Sequence, residues 1–141
     1  MSQLITGTSG TSEEERNRKA VLEFYETVIK GGEYDRVLEW VDPGYIQHKP
    51  VISDGPGGVL DFVRNEHKRV PGHVVKIVRC LRRGLCHSSC SCSPPPTEAD
   101  RAVMDIFRCK NGKLLEHWDV MNLYAQSLTM PMECFEEYAG P

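Results

Sequence analysis

Five ionisable side chains crowd one short apolar stretch of this chain. Between Val103 and Val120, Asp105, Arg108, Glu116, His117 and Asp119 stand among valine, isoleucine, phenylalanine, leucine and tryptophan. Carboxylates and an imidazole in such a setting have pKa values displaced toward neutrality, which suits them to general acid/base work. Asp119 and His117 are the first candidates for catalytic groups, with Asp105 and His48 in support. His48 lies between an extended segment and the loop at Pro50, where functional residues concentrate. Tyr45 can donate a phenolic hydrogen bond to an oxyanion, and Arg108 can reach an anionic group. Trp118 and the helix residue Phe62 are further candidate substrate contacts.

The elements that must position these groups begin with a hairpin. Asn111-Gly112 separates two β-prone segments, Arg101 to Cys109 and Lys113 to Tyr124. A three-residue loop, Lys110-Asn111-Gly112, sets Asp105 opposite His117 and puts Leu115, His117 and Asp119 on one face. A two-residue loop instead places Asp105 with Glu116 and Trp118. The first register is the expected one, with the cavity on the side of His117, Asp119 and Met121 and with His48 facing it.

Upstream, Ser12-Glu13-Glu14-Glu15 is a capping-box pattern that opens a helix. Ala20, Val21, Phe24, Tyr25, Val28 and Ile29 keep its helical spacing up to Gly31-Gly32. A second helix is expected over Tyr34 to Val41, broken by Asp42-Pro43-Gly44. Tyr45 to His48 reads as a short extended segment. A third helix runs from about Gly58 to Arg69, and Asp54-Gly55 before it reads as a turn. His67 and His73 read as surface residues. Strands follow at His73 to Leu81 and, more weakly, at Leu85 to Ser93. Three helices before about four strands give an α+β class: a cone-shaped barrel with helices packed on a curved antiparallel sheet. An open end of such a cone forms a ligand pocket.

The 141 residues carry a formal net charge of -3 and no long basic run, which points away from nucleic-acid and membrane-surface binding. Met1 to Thr11 is polar and lacks the blocks of a signal peptide, and no run reaches transmembrane length. A cytoplasmic location is the expectation. So are a flexible N-terminus over 1–11, a single domain over 12–130 and a C-terminal tail over 131–141. The six cysteines include Cys86-His87-Ser88-Ser89-Cys90-Ser91-Cys92, whose spacing is not that of a zinc finger or ribbon. These are read as thiols behaving like small hydrophobes, with no bound metal and no obligatory disulfide.

Three local patterns in order resemble the SnoaL-like polyketide cyclases of the nuclear-transport-factor-2-like superfamily. Tyr45-Ile46-Gln47-His48-Lys49-Pro50 is like the family's Tyr-Ile-Gln-His-Asn-Pro. Asp54-Gly55 precedes a helix start built of small residues, ahead of Phe62. Asp105-Ile106-Phe107-Arg108, Asn111-Gly112-Lys113 and Glu116-His117-Trp118-Asp119-Val120 follow the family's Asp-Ile-Phe-Arg, Gly-Lys and Glu-His-Trp-Asp-Val. The resemblance covers about Asn17 to Met121 and implies the fold, a pocket and acid/base chemistry. The antibiotic-pathway cyclases of this family carry an acid/base aspartate a few residues beyond the tryptophan. By that spacing the position here is Asn122, which cannot act as a base.

The expected function is therefore a cofactor-independent cyclase, isomerase or dehydratase of aldol type. Its expected substrate is a small hydrophobic carbonyl compound of polyketide or terpenoid origin. The alternative is a non-catalytic ligand-binding or dimerisation module on the same fold. The outward face of the sheet needs cover, so a homodimer packed sheet to sheet is expected.

Overall fold

The computed structural model describes residues 12–72, 74–80, 86–92 and 101–123, the last three segments in part by backbone alone. The chain opens with α1, Ser12–Phe24, whose buried residues Ala20, Val21 and Phe24 keep the expected spacing. It continues as a π-helical turn, Tyr25–Lys30, which buries Tyr25 and Val28. Gly32, at φ +68°, then reverses the chain, a conformation glycine adopts without strain.

The second predicted helix is shorter and of another kind. Tyr34–Glu39 is a 3₁₀ turn, and Val41 is already in the first strand, β1, Val41–Gln47. The cause is tertiary. The Leu114 N–H donates to the Trp40 carbonyl at 2.8 Å, and Val41 and Leu114, each fully buried, are register partners. Asp42-Pro43-Gly44 therefore bulges out of a strand rather than ending a helix. Its turn is closed by the Gly44 N–H donating to the Asp42 side chain at 2.8 Å.

Helix α2, Gly55–Arg69, carries proline in its first turn and buries Val59 and Val63. Gly58 permits the approach to this helix. A Cβ there would lie 1.9 Å from the Ser53 carbonyl oxygen. Asp54 does not cap α2 with its side chain. Its carboxylate instead accepts the Gln47 N–H at 2.7 Å, tying the end of β1 to the start of the helix.

Strands β2 (Val74–Cys80), β3 (Cys86–Cys92), β4 (Arg101–Lys110) and β5 (Lys113–Leu123) complete a five-stranded sheet in the order β1-β5-β4-β3-β2. The fold is α+β, with helices packed on one face of the sheet, as expected. Two features differ from the expectation. The barrel does not close, and β1 joins the edge parallel to β5 while all other pairings are antiparallel.

The hairpin follows neither anticipated register along its whole length. Asn111 and Gly112, at φ 51° and 76°, form a two-residue turn with Lys110 opposite Lys113, the backbone that asparagine–glycine favours. Asn17 on α1 accepts the Gly112 N–H at 2.7 Å. Cys109 then pairs with Leu114 but Arg108 with Glu116, so Leu115 is the extra residue of a β-bulge. The bulge lets Leu114 and His117 face the same side despite their odd separation. Asp105 stands opposite Asp119, and Phe107 opposite His117.

The core is closed by edge-to-face aromatic pairs: Phe24 with Tyr25, and each of these with Phe107. The Cys109 thiol packs against this core, and burial pushes its pKa up to about 12. Cys109 is a free thiol. The side chains of Cys86, Cys90 and Cys92, and also His73, Asn122 and the tail from Tyr124, lie outside the described residues. Among the described residues, no helix is long and apolar enough to cross a membrane, and no cluster of three His, Cys, Asp or Glu could hold a metal ion.

Candidate active site

Beneath α1 and α2, the inner face of the sheet encloses a cavity of about 130 Å³. Its walls are largely apolar: Phe24, Ile29, Ile52, Val59, Phe62, Val63, Val103 and Met121 contribute. Period-two alternation along β4 and β5 brings Asp105, His117 and Asp119 into the same space.

Asp105 and His117 are 6% and 7% exposed, and His117 Nε2 lies 2.9 Å from Asp105 Oδ1. Two buried ionisable groups at this depth require partners on every side. Tyr25 supplies one, its hydroxyl donating to Asp105 Oδ2 at 2.6 Å. The π-helical turn begins at this residue, and such turns recur at functional sites. On the other side, His117 Nδ1 lies 2.8 Å from Gln47 Oε1. The parallel pairing of β1 with β5 makes this contact, since Gln47 and His117 are register partners.

The orientation of the Gln47 amide follows from its neighbours. Its Oε1 accepts the Lys49 backbone N–H at 3.1 Å, and its Nε2 donates to the Tyr45 hydroxyl at 3.4 Å. Both ring nitrogens of His117 therefore face side-chain oxygens, Asp105 Oδ1 and Gln47 Oε1. The ring also packs on Phe107, with centroids 4.6 Å apart. The result is a four-residue hydrogen-bonded chain, Tyr25–Asp105–His117–Gln47, on the wall of a largely apolar cavity.

Asp119 is held differently. Its Oδ2 accepts from Lys49 Nζ at 2.7 Å, with the two side chains 13% and 15% exposed. The Lys49 ammonium also lies over the Phe62 ring, 5.3 Å from its centroid. Tyr45 is 3% exposed and lines the cavity. Burial, and then the neighbouring Asp105 carboxylate, raise its pKa far above the ordinary phenol value. It remains a neutral O–H donor.

His67, read from sequence as a surface residue, is in the cavity wall. Its Nε2 donates to the Ile29 carbonyl at 2.7 Å, and the Tyr34 hydroxyl donates to Nδ1 at 2.6 Å. Its place four residues after Val63 on the buried face of α2 was the available signal. Lys49 and Gln47 were legible only as members of a motif. Tyr25 read as a core aromatic, because helical spacing cannot foresee a hydrogen bond made 80 residues away.

Residues 19–128 match the profile of the SnoaL-like polyketide cyclases. The chain belongs to the SnoaL-like polyketide cyclase family. Solved structures agree in fold. A protein from Jannaschia sp. CCS1 assigned as a SnoaL-like polyketide cyclase superposes with a TM-score of 0.69 at 17% identity, covering 82% of this chain and 92% of its own. A Bacillus cereus protein assigned as a polyketide cyclase gives 0.64 at 21%, covering 73% and 72%. IdmH from Streptomyces antibioticus, likewise assigned, gives 0.62 at 15%, covering 74% and 90%. No curated protein matches the chain in sequence.

Of the residues picked out on sequence grounds, this SnoaL-like domain brings Asp105, His117, Asp119, Tyr45 and Phe62 to the cavity. It leaves His48, Arg108 and Trp118 on the opposite face of the sheet. His48 follows Gln47, so alternation turns its side chain outward. There it stacks on Trp118 with ring centroids 4.6 Å apart and planes 3° apart. Its Nε2 lies 2.7 Å from Glu116, which also accepts from Arg108 at 2.6 Å. His48 and then Arg108 hold the Glu116 carboxyl below the usual glutamate range. These three form an exposed polar cluster behind the catalytic candidates rather than among them.

The Tyr25 hydroxyl bonds a buried carboxylate, whereas the Tyr34 hydroxyl bonds a half-buried imidazole. Tyr25→Phe is expected to destabilise the fold by about 1.5–3 kcal/mol, and Tyr34→Phe by only about 0.5–1.5 kcal/mol. Urea denaturation of the two variants checks this. Equal or reversed costs would mean that Tyr25 does not carry Asp105.

Proposed function

We propose that this protein is a cofactor-independent acid/base enzyme, a cyclase or isomerase acting on a small hydrophobic carbonyl compound. One observation carries the reading. An imidazole–carboxylate pair and a second carboxylate face one largely apolar cavity, alongside a neutral phenol donor. Proton abstraction next to a carbonyl needs this set of groups: a base, a donor to the oxygen that gains charge, and a source of the returning proton.

In this reading Asp119 is the base. Its Oδ2 is held by Lys49, and its Oδ1 takes the proton from the carbon beside the carbonyl. The C–H electron pair moves into the new C=C bond, and the carbonyl π pair moves onto oxygen, where the Tyr45 hydroxyl donates. In an aldol closure the enolate carbon then bonds a second carbonyl carbon of the same molecule. The resulting alkoxide takes the proton held by Asp119, which restores the carboxylate, while the Asp105–His117 pair fixes the polar wall beside it. In an isomerisation the proton returns to carbon instead. The family supports cyclase or isomerase chemistry of this kind, and the apolar walls support a hydrophobic substrate.

The same reading extends to assembly. The outer face of the sheet exposes Ile46, Met104, Trp118 and Val120, the last at 67%. Apolar side chains grouped on one face favour a homodimer packed sheet to sheet. Light scattering at micromolar concentration is expected to give twice the 15.9 kDa chain mass. A species of single-chain mass alone would exclude it.

Catalysis is tested by hydrogen exchange. In D₂O the protein is offered hydrophobic cyclic ketones and linear β-diketones, and loss of the α-proton signal is followed by NMR. The wild type is expected to accelerate exchange. Asp119→Asn should lower the rate by about 10²–10⁴-fold with an unchanged circular dichroism spectrum. Undiminished exchange in that variant would remove Asp119 from the role of base.

A further inference from the structure

The cavity contains a cation whose hydrogen-bonding capacity exceeds what its counter-ion uses. Lys49 Nζ has three N–H donors. One goes to Asp119 Oδ2 at 2.7 Å, and among the described residues no other acceptor is recorded for the remaining two. The side chain is only 15% exposed, and the face of Phe62 covers part of the ammonium. A lysine serving only as a surface counter-ion would turn its spare donors to bulk water. This one lines the cavity that Tyr45 and Asp119 also line. The Tyr45 hydroxyl accepts from Gln47, and among the described residues no acceptor is recorded for its own proton.

Building on the enolisation reading above, we infer that Lys49 is a catalytic residue that binds the carbonyl oxygen of the substrate and holds the enolate formed when Asp119 removes the α-proton. The charge arithmetic suits this role. Among the described lining residues Asp119 is matched by Lys49, Glu66 is paired with Arg69 and Asp105 faces His117, so no lining cation lacks a counter-ion with which to recruit a pre-formed anion. When Asp119 takes a proton it becomes neutral, and Lys49 is then left with the new oxyanion as its counter-charge. The ammonium therefore attracts the oxygen more strongly after proton transfer than before, which is the differential binding that lowers a barrier. Tyr45 supplies the second donor to the same oxygen. The substrate class follows: a carbonyl compound that is uncharged when it enters.

A stable phenolate imitates an enolate oxygen next to a planar carbon framework, so 4-nitrophenol is the probe, with its ionised form read by absorbance. The neutral isostere 4-nitrotoluene reports whether the cavity is intact. Wild-type protein is expected to take up neutral 4-nitrophenol, whose proton passes to Asp119, and so to enrich the ionised form beside Lys49. Lys49→Met is expected to weaken phenolate binding at least tenfold while 4-nitrotoluene binding stays unchanged, and Lys49→Arg should recover most of the loss. The double variant Lys49→Met/Asp119→Asn separates direct contact from charge balance. It stays weak if Lys49 touches the oxygen and recovers if Lys49 merely neutralises Asp119. Recovery, or undiminished binding in Lys49→Met, would overturn this role for Lys49 and leave the enolisation reading standing on Tyr45. Failure of the wild type to bind the phenolate would overturn both.

Discussion

The hydrogen bond between His117 Nε2 and Asp105 Oδ1, 2.9 Å long and buried beneath two helices, is the constraint around which the surrounding structure is arranged. Burying two ionisable groups is costly unless each remaining polar atom is satisfied. The satisfaction comes from three distant parts of the chain. Tyr25 descends from the π-helical turn after α1, Gln47 arrives on the parallel edge strand, and the hairpin carries the pair itself. Removing any one contact would leave a buried donor or acceptor without its partner, so the helices, the edge strand and the hairpin are locked to a single relative placement.

That requirement gives a reason for several local irregularities. A straight α-helix through residues 25–30 would present Tyr25 at a different angle. The π-helical turn sets the Tyr25 hydroxyl against Asp105, and the Ile29 carbonyl near its end is satisfied by His67. The bulge at Leu115 lets the fully buried Leu114 anchor β5 beneath Trp40 while His117, Asp119 and Met121 still turn toward the cavity. The looped-out Asp42-Pro43-Gly44 shortens β1 so that Gln47, and not His48, meets His117. Each departure from regular geometry serves the polar chain at the centre.

How far the residues themselves announced this differs from element to element. Helical spacing in α1, the Pro-Gly start of α2 and the Asn111-Gly112 turn are short-range signals, and they were legible. So was the sharing of one face by Asp105, His117 and Asp119, although the route to it was not. A three-residue loop was expected to set Asp105 against His117, whereas a two-residue turn and a bulge set it against Asp119. Bulges, π-helical turns and the parallel docking of β1 are tertiary choices. They are decided by which side chains must be buried together, and local spacing carries little of that. The misplacement of His48 has the same origin. It belongs to a recognisable motif, but the register of an edge strand decides which face a motif residue occupies, and a one-residue difference reverses it. His67 shows the opposite error: a polar side chain near a basic helix end reads as solvated unless its spacing from Val63 is given more weight than its type.

A proton held in the buried chain Tyr25–Asp105–His117–Gln47 leaves both His117 ring nitrogens protonated, and long-range ¹H–¹⁵N correlation of that ring reads this out. Two ring N–H protons, both protected from solvent exchange, are predicted for the wild type, with the Nε2 proton losing its protection in Asp105→Asn. A His117 ring with one N–H only, or with protons indifferent to Asp105→Asn, would contradict the account.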